Sequence, residues 1–189
     1  IADDFEGITR RGQFLYLVTS EGIIYETLIG EDRSRVRYNI YDTGLKSTCE
    51  IEGITTDTED GFLLLCKHSV VSRKSNQLVI YKWRFKDRLQ APSLWLNISL
   101  EAWDALPKGP KFMGAGLERD PESSNILIVE SKSGGLLEVT SAGEFVRYQH
   151  LGLKDHPQAE GVAVMANGDV VIVDEDVKGR LAVYPAAWR

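Results

Sequence analysis

The sequence predicts an all-β fold, a β-propeller of four-stranded antiparallel blades, from three observations: a repeated Glu-Gly opening, its regular spacing, and the strand pattern that follows each copy. Asp4-Phe5-Glu6-Gly7-Ile8, Glu50-Ile51-Glu52-Gly53-Ile54 and Gln158-Ala159-Glu160-Gly161-Val162 are related, and a degenerate copy reads Gly114-Ala115-Gly116-Leu117. Glu6 lies 46 residues before Glu52, and Ala115 lies 45 before Glu160. The middle spacing, Glu52 to Ala115, is 63, so that unit carries an insertion. Periods of roughly 40–50 residues holding several short strands are those of propeller blades.

The strands of each unit follow in order. Second strands are near-continuous apolar runs, as expected of strands covered on both faces: Phe14–Val18, Phe62–Cys66, Ile126–Glu130 and Val170–Asp174. Each follows a turn containing Gly or Asn, residues that accept the positive φ of tight hairpins. Third strands are Ile23–Glu26, Leu78–Tyr81, Leu136–Val139 and Leu181–Tyr184, and fourth strands Val36–Ile40 and Phe145–Tyr148 alternate apolar and polar residues. Within the insertion, Ser99–Leu106 has room for one or two helical turns before Pro107.

These units divide one propeller domain into blades at about 1–45, 46–108, 109–153 and 154–189. The chain opens on a first strand and ends after a third, and it begins with Ile1 rather than Met. A propeller protects its edge strands by closing its ring. The expectation is therefore a piece truncated on its N-terminal side, about four blades of a full-length protein with about five or six, or one that pairs with another copy.

Charge excludes one class of function. The net charge of −6 lacks the basic surplus of a nucleic-acid binder. No apolar run is long enough to cross a bilayer, so no membrane insertion is expected within the chain, while an upstream anchor stays open. Cys49 and Cys66 are too few for a disulfide framework. The reading favoured here keeps them as free, buried hydrophobes, since a bridge between their strands needs local distortion.

The start of each first strand and the end of the second meet at one rim of the blade. That brings Glu6, Glu52 and Glu160 near the second-strand ends, which carry Lys67 and His68, Glu130 and Lys132, and Asp174-Glu175-Asp176. A hairpin symmetric about Asn167-Gly168 places Glu160 opposite Glu175. Crowded carboxylates repel unless a cation or shared protons offset them, and oxygen-rich clusters suit Ca²⁺. The metal candidates are thus Glu6, Glu52, Glu160, Asp174 and Glu175, with His68, Lys67, Glu130, Lys132 and Asp176 as contacts for a small-molecule or peptide ligand. An architectural reading stands beside this one: a Glu repeated in blade after blade can lock blades together, with the following Gly permitting close packing. No nucleophile elbow, phosphate-binding Gly loop or zinc-protease motif occurs, so no catalytic residue is assigned.

Asp4-Phe5-Glu6-Gly7-Ile8-Thr9, Ile51-Glu52-Gly53-Ile54, Gln158–Ala163 and Asn167–Glu175 resemble the SdiA-regulated propeller family of bacteria, itself similar to calcium-dependent phytase-like and esterase-like propellers. The resemblance implies a secreted, periplasmic or membrane-tethered protein that binds Ca²⁺. Ala115, Cys66-Lys67-His68 and Val18-Thr19-Ser20 depart from the acidic pattern of the phytase-like group. Three functions are carried forward: a calcium- and ligand-binding propeller, a metal-dependent hydrolase of an ester, lactone or phosphoester, and a non-catalytic protein-interaction module.

Overall fold

A computed structural model describes residues 3–32, 34–57, 61–69, 76–84, 91–108, 111–175 and 178–188, with 68 and 69 as backbone only. Apolar runs broken by Gly-containing turns fold into antiparallel meanders, the expected propeller blades. The first blade is β1 (Phe5–Arg11), β2 (Phe14–Thr19), β3 (Ile23–Leu28) and β4 (Tyr38–Asp42). The second is β5 (Cys49–Thr56), β6 (Gly61–Ser69), β7 (Gln77–Arg84) and β8 (Ser93–Ser99). The third is β9 (Gly114–Arg119), β10 (Ile126–Glu130), β11 (Gly135–Val139) and β12 (Phe145–His150). The last, β13 (Ala159–Val164), β14 (Val170–Asp174) and β15 (Arg180–Tyr184), has three strands among the described residues.

The chain divides into two compact units, Ile1–Arg73 with Val79–Trp95, and Lys74–Leu78 with Leu96–Arg189. In the first unit, Tyr16, Val18 and Ile24 of the first blade bury themselves against Ile51, Ile54, Phe62, Leu64 and Trp83 of the second. The Tyr16 and Phe62 rings lie 4.5 Å apart. In the second unit, Leu127, Val129 and Leu136 of the third blade pack with Ala159, Val170 and Ile172 of the last. Each such side chain contributes roughly 1.5–3 kcal/mol on burial, so the faces between neighbouring blades form the core of each unit.

One irregularity recurs. The pairing of every first strand with its second skips a residue: Glu6 in β1, Glu52 in β5, Ala115 in β9 and Glu160 in β13. The position of the repeated Glu is the extra residue of a β-bulge, which bends the strand and re-aims that side chain. The following glycine serves a different need. A Cβ on Gly7 would stand 3.0 Å from the backbone of Gly53 and Ile54 in the neighbouring blade. One on Gly116 would stand 2.5 Å from the carbonyl oxygen of Glu160. Glycine is required there for the approach of two inner strands.

Several expectations change. The fourth strand of the first blade runs Tyr38–Asp42, later than Val36–Ile40. The inserted stretch supplies the second blade's own fourth strand, β8, and its helical part is one 3₁₀ turn, Leu100–Ala102. Cys49 and Cys66 are not free: they form a disulfide with a Cα–Cα separation of 5.6 Å. The distortion that this demands is present, because β5 and β6 each carry a bulge beside Ile51, with Glu52 and Lys67 as the extra residues.

Gly116→Ala is expected to lower stability by about 1–3 kcal/mol through overpacking against the Glu160 backbone. Urea unfolding followed by tryptophan fluorescence measures it. A variant as stable as the parent would show that the inner strands can separate freely.

Candidate functional site

In the first unit the paired bulges of β5 and β6 turn Glu52 and Lys67 toward each other. Lys67 Nζ donates to Glu52 Oε1 at 2.6 Å and lies 3.6 Å from Glu50 Oε1. The Glu52 side chain is only 4% exposed, so the ammonium offsets a charge that burial would otherwise make costly. Burial pulls the Lys67 pKa down, but the hydrogen bond to Glu52 and the charges of Glu52, Glu50 and Glu6 outweigh it and hold it above its ordinary 10.5. Lys67 is thus an internal cation among three of the carboxylates that the sequence nominates or adjoins. His68 lies opposite Glu50 on β6, and its side chain is outside the described residues.

In the second unit the expected Glu160–Glu175 pairing does not occur. Because Glu160 is the bulge residue, Ala159 stands opposite Asp174, and the Glu175 amide donates to Gln158 O at 3.0 Å. Glu160 is half-buried and Glu175 exposed. Asp174 is instead occupied from within: His156 Nδ1 donates to its Oδ2 at 2.7 Å, and the Gln158 amide to its Oδ1 at 3.2 Å. In that tautomer Nε2 accepts from the Tyr184 hydroxyl at 2.5 Å. Burial first, then the charges of Asp155 and Asp174, raise the Tyr184 pKa and keep it a donor. His156 is buried and clasps the loop before β13 to the last blade.

Glu130 is a turn-holding group. Its carboxylate accepts from the amides of Lys132 at 2.9 Å and Ser133 at 2.7 Å, and from the Ser133 hydroxyl. Lys132 itself is exposed, and Asp176 lies outside the described residues.

Two functional-looking carboxylates escaped the sequence reading. Glu26 accepts from Tyr16, Asn39 and Tyr41, and Glu138 accepts from Asn125 and Arg147, all between 2.7 and 3.2 Å. Both occupy the same place on a third strand, opposite a polar residue of the fourth, and both are nearly buried. The available signal was a Glu at equivalent points of two apolar strands.

Calcium takes about six to eight oxygen ligands in an open cage. Within each unit, no three His, Cys, Asp or Glu side chains among the described residues group in a way that could hold a metal. Lys67 stands where a cation among Glu6, Glu50 and Glu52 would be needed, and His156 claims Asp174. Two of the five carboxylates expected to hold Ca²⁺, Glu52 and Asp174, are therefore already paired with side chains of the protein itself.

No protein-family model and no curated protein matches the sequence. Solved structures do. A Bacteroides thetaiotaomicron protein of unknown function is similar at 16% identity over 88% of this chain and 41% of its own, with a TM-score of 0.60. The PQQ-bound aldose sugar dehydrogenase of Streptomyces coelicolor is similar at 15% identity over 98% of this chain and 61% of its own, with a TM-score of 0.59. A chain of a nidogen/laminin complex is similar at 15% over 97% of this chain and 60% of its own, with a TM-score of 0.54. What they share with it is the propeller fold. The chain spans roughly half the length of these structures, 41% to 61%.

Two variants probe the paired carboxylates. Lys67→Met is expected to destabilise at the low end of about 3–5 kcal/mol, since it strands Glu52 while Lys67 itself is partly solvated. Lys67 has a folded pKa above its unfolded value. Its contribution is therefore complete below pH 10.5 and is lost as pH rises through the folded pKa. Alkaline unfolding should accordingly be flatter in Lys67→Met than in the parent. Asp174→Ala should lose about 1–3 kcal/mol by leaving His156 Nδ1 and the Gln158 amide unsatisfied, read by thermal melts at neutral pH.

Proposed function

We propose that this chain is a non-catalytic binding propeller of an oxidising, extracytoplasmic compartment, of the bacterial type that the SdiA-regulated resemblance suggests. Its polar rims recognise a small-molecule or peptide ligand and do not turn it over. One observation carries the reading: Lys67 sits as a built-in cation beside Glu52 and Glu50, and within the field of Glu6. A hydrolase needs an available base or a metal-bound water. Here Glu52, Asp174 and Glu130, three of the acidic side chains that could supply either, are already engaged by Lys67, by His156 and by turn amides. Paired, pre-organised charges suit recognition of a ligand bearing both signs, such as the termini of a short peptide.

The Cys49–Cys66 disulfide supports the compartment, since such bonds persist where thiols are not kept reduced. With a sequence separation of 17, it is worth about 3 kcal/mol in the chain-entropy account. Nidogen/laminin and sugar dehydrogenase structures show that this fold serves both partner binding and enzyme chemistry, and the choice between them rests on the side chains of this chain.

The test has three arms. Thiol titration of protein purified without reductant should find no free thiol, and dithiothreitol should lower the melting temperature. Chromogenic esters, lactones and phosphoesters should show no turnover with or without Ca²⁺, and neither Ca²⁺ nor chelator should shift the melt. Calorimetry with a library of short zwitterionic peptides should detect binding that Lys67→Met weakens. Calcium-dependent turnover abolished by Glu52→Gln would replace this reading with the hydrolase.

A further inference from the structure

The hairpin that joins the first two strands differs between blades. In the first blade it consists of Gly12 and Gln13, whereas in the third it runs over residues 120–125. The longer loop is tied down from within. Asp120 is buried, and its Oδ1 accepts from the Glu122 amide at 3.0 Å and its Oδ2 from the Ser123 hydroxyl at 2.7 Å. The Ser124 amide donates back to Asp120 O at 2.9 Å, and the Asp120 amide to Asn125 O at 2.9 Å. The loop is therefore a fixed wall at the end of the third blade opposite Glu130.

A groove of about 390 Å³ lies against that wall, bounded by Asp120, Glu122 and Ser123 of the loop, by Glu138, Val146 and Arg147 of the strands, and by Ala186. Small-molecule sites occupy roughly 300–1,000 Å³. Two charged groups lining it are not used up by the fold. The Glu122 side chain is exposed and forms no bond among the described residues. Arg147 Nε donates to Glu138 Oε2 at 2.7 Å, but its Nη2 is buried with no acceptor among the described residues. The other oxygen of Glu138 is taken by Asn125 Nδ2 at 2.7 Å. A buried donor left unmet costs free energy, so the guanidinium stands ready for an acceptor from outside the chain.

We propose that this groove is a second binding site, distinct from the Lys67 cluster, for a neutral polyhydroxyl ligand: a hexose or the end of a short sugar chain. Charge selects against the alternatives. A metal cation would meet the Arg147 guanidinium and leave its donor unmet, while an anion would meet Asp120, Glu122 and Glu138. A zwitterion would set its own carboxylate beside Glu138 on the same guanidinium. A hydroxyl meets neither difficulty, because it donates to a carboxylate and accepts from a guanidinium nitrogen. Neighbouring hydroxyls of a sugar ring can serve Glu122 and Arg147 together. Val146 and Ala186 supply apolar surface for the C–H face of the ring.

Amide-resolved NMR of the 189-residue chain tests it. Glucose, galactose and a linear glucose trisaccharide, titrated separately, should shift the amides of Glu122, Ser123, Val146 and Arg147 and saturate in the millimolar range. Tighter binding of the trisaccharide identifies a chain end as the ligand, and equal binding a free hexose. Glu122→Ala changes an exposed side chain, should melt as the parent does, and should weaken binding about tenfold. Arg147→Lys keeps the charge but loses the planar fork, and should weaken binding similarly. Lys67→Met, in the other unit, should bind sugar as the parent does, which tests this site separately from the Lys67 cluster. No sugar shifting these amides, Glu122→Ala binding as tightly as the parent, or the same shifts evoked by glycine, sulfate or Ca²⁺ in place of sugar would each overturn the proposal.

Discussion

The close approach of inner strands is the constraint on which the rest depends. Within each unit, one blade meets the next through a glycine with no room for a Cβ, Gly7 on Gly53 and Gly116 on Glu160-Gly161. Bringing two pleated backbones so near demands that the residue before the glycine leave the ladder, and in every blade it does so as a β-bulge. The bulge and the glycine are one device. The apolar second strands, buried on both faces, then fill the space that the device defines.

That geometry explains why the repeated Glu is so hard to interpret from its type alone. A bulge residue does not alternate with its neighbours, so its side chain is aimed by local twist and not by strand parity. In the second blade a matching bulge on β6 swings Lys67 to meet Glu52, and charge is settled inside the blade. In the last blade only one strand bulges, and the acidic residue that becomes buried is Asp174, answered by His156. Ala115 occupies the same bulge in the third blade with no charge at all. The bulge is common to the repeat; the chemistry placed on it is not.

The architecture was legible because it is written in periodicity. Second strands such as Phe62–Leu65 and Ile126–Val129 are wholly buried, as continuous apolar runs imply. Pairing within the rims was not legible, because a one-residue shift reverses which side chains meet. The symmetric hairpin about Asn167-Gly168 put Glu160 against Glu175, and a single bulge undid it. The same cause hid the disulfide, whose cysteines look out of register until the irregularities beside Ile51 are known. The fourth strand Ser93–Ser99 was lost for another reason, since an insertion shifted it away from the repeat's spacing.

The polar interior has a consistent purpose once these pairs are seen together. Glu26 ties β3 to Asn39, directly across, and to Tyr41 on the diagonal of β4, and Glu138 ties β11 to Arg147 directly across on β12. Outer strands are wet on one side and gain little from burial, so a charge-assisted cross-strand bond contributes most where apolar contact contributes least. In the last blade the corresponding position is Val183, which has no fourth strand beside it among the described residues and lies half exposed. A valine there cannot recruit an outer strand by charge, but it can join Leu181 and Val173 in an apolar face. The last blade thus lacks, at this position, the polar tie that Glu26 and Glu138 give the first and third.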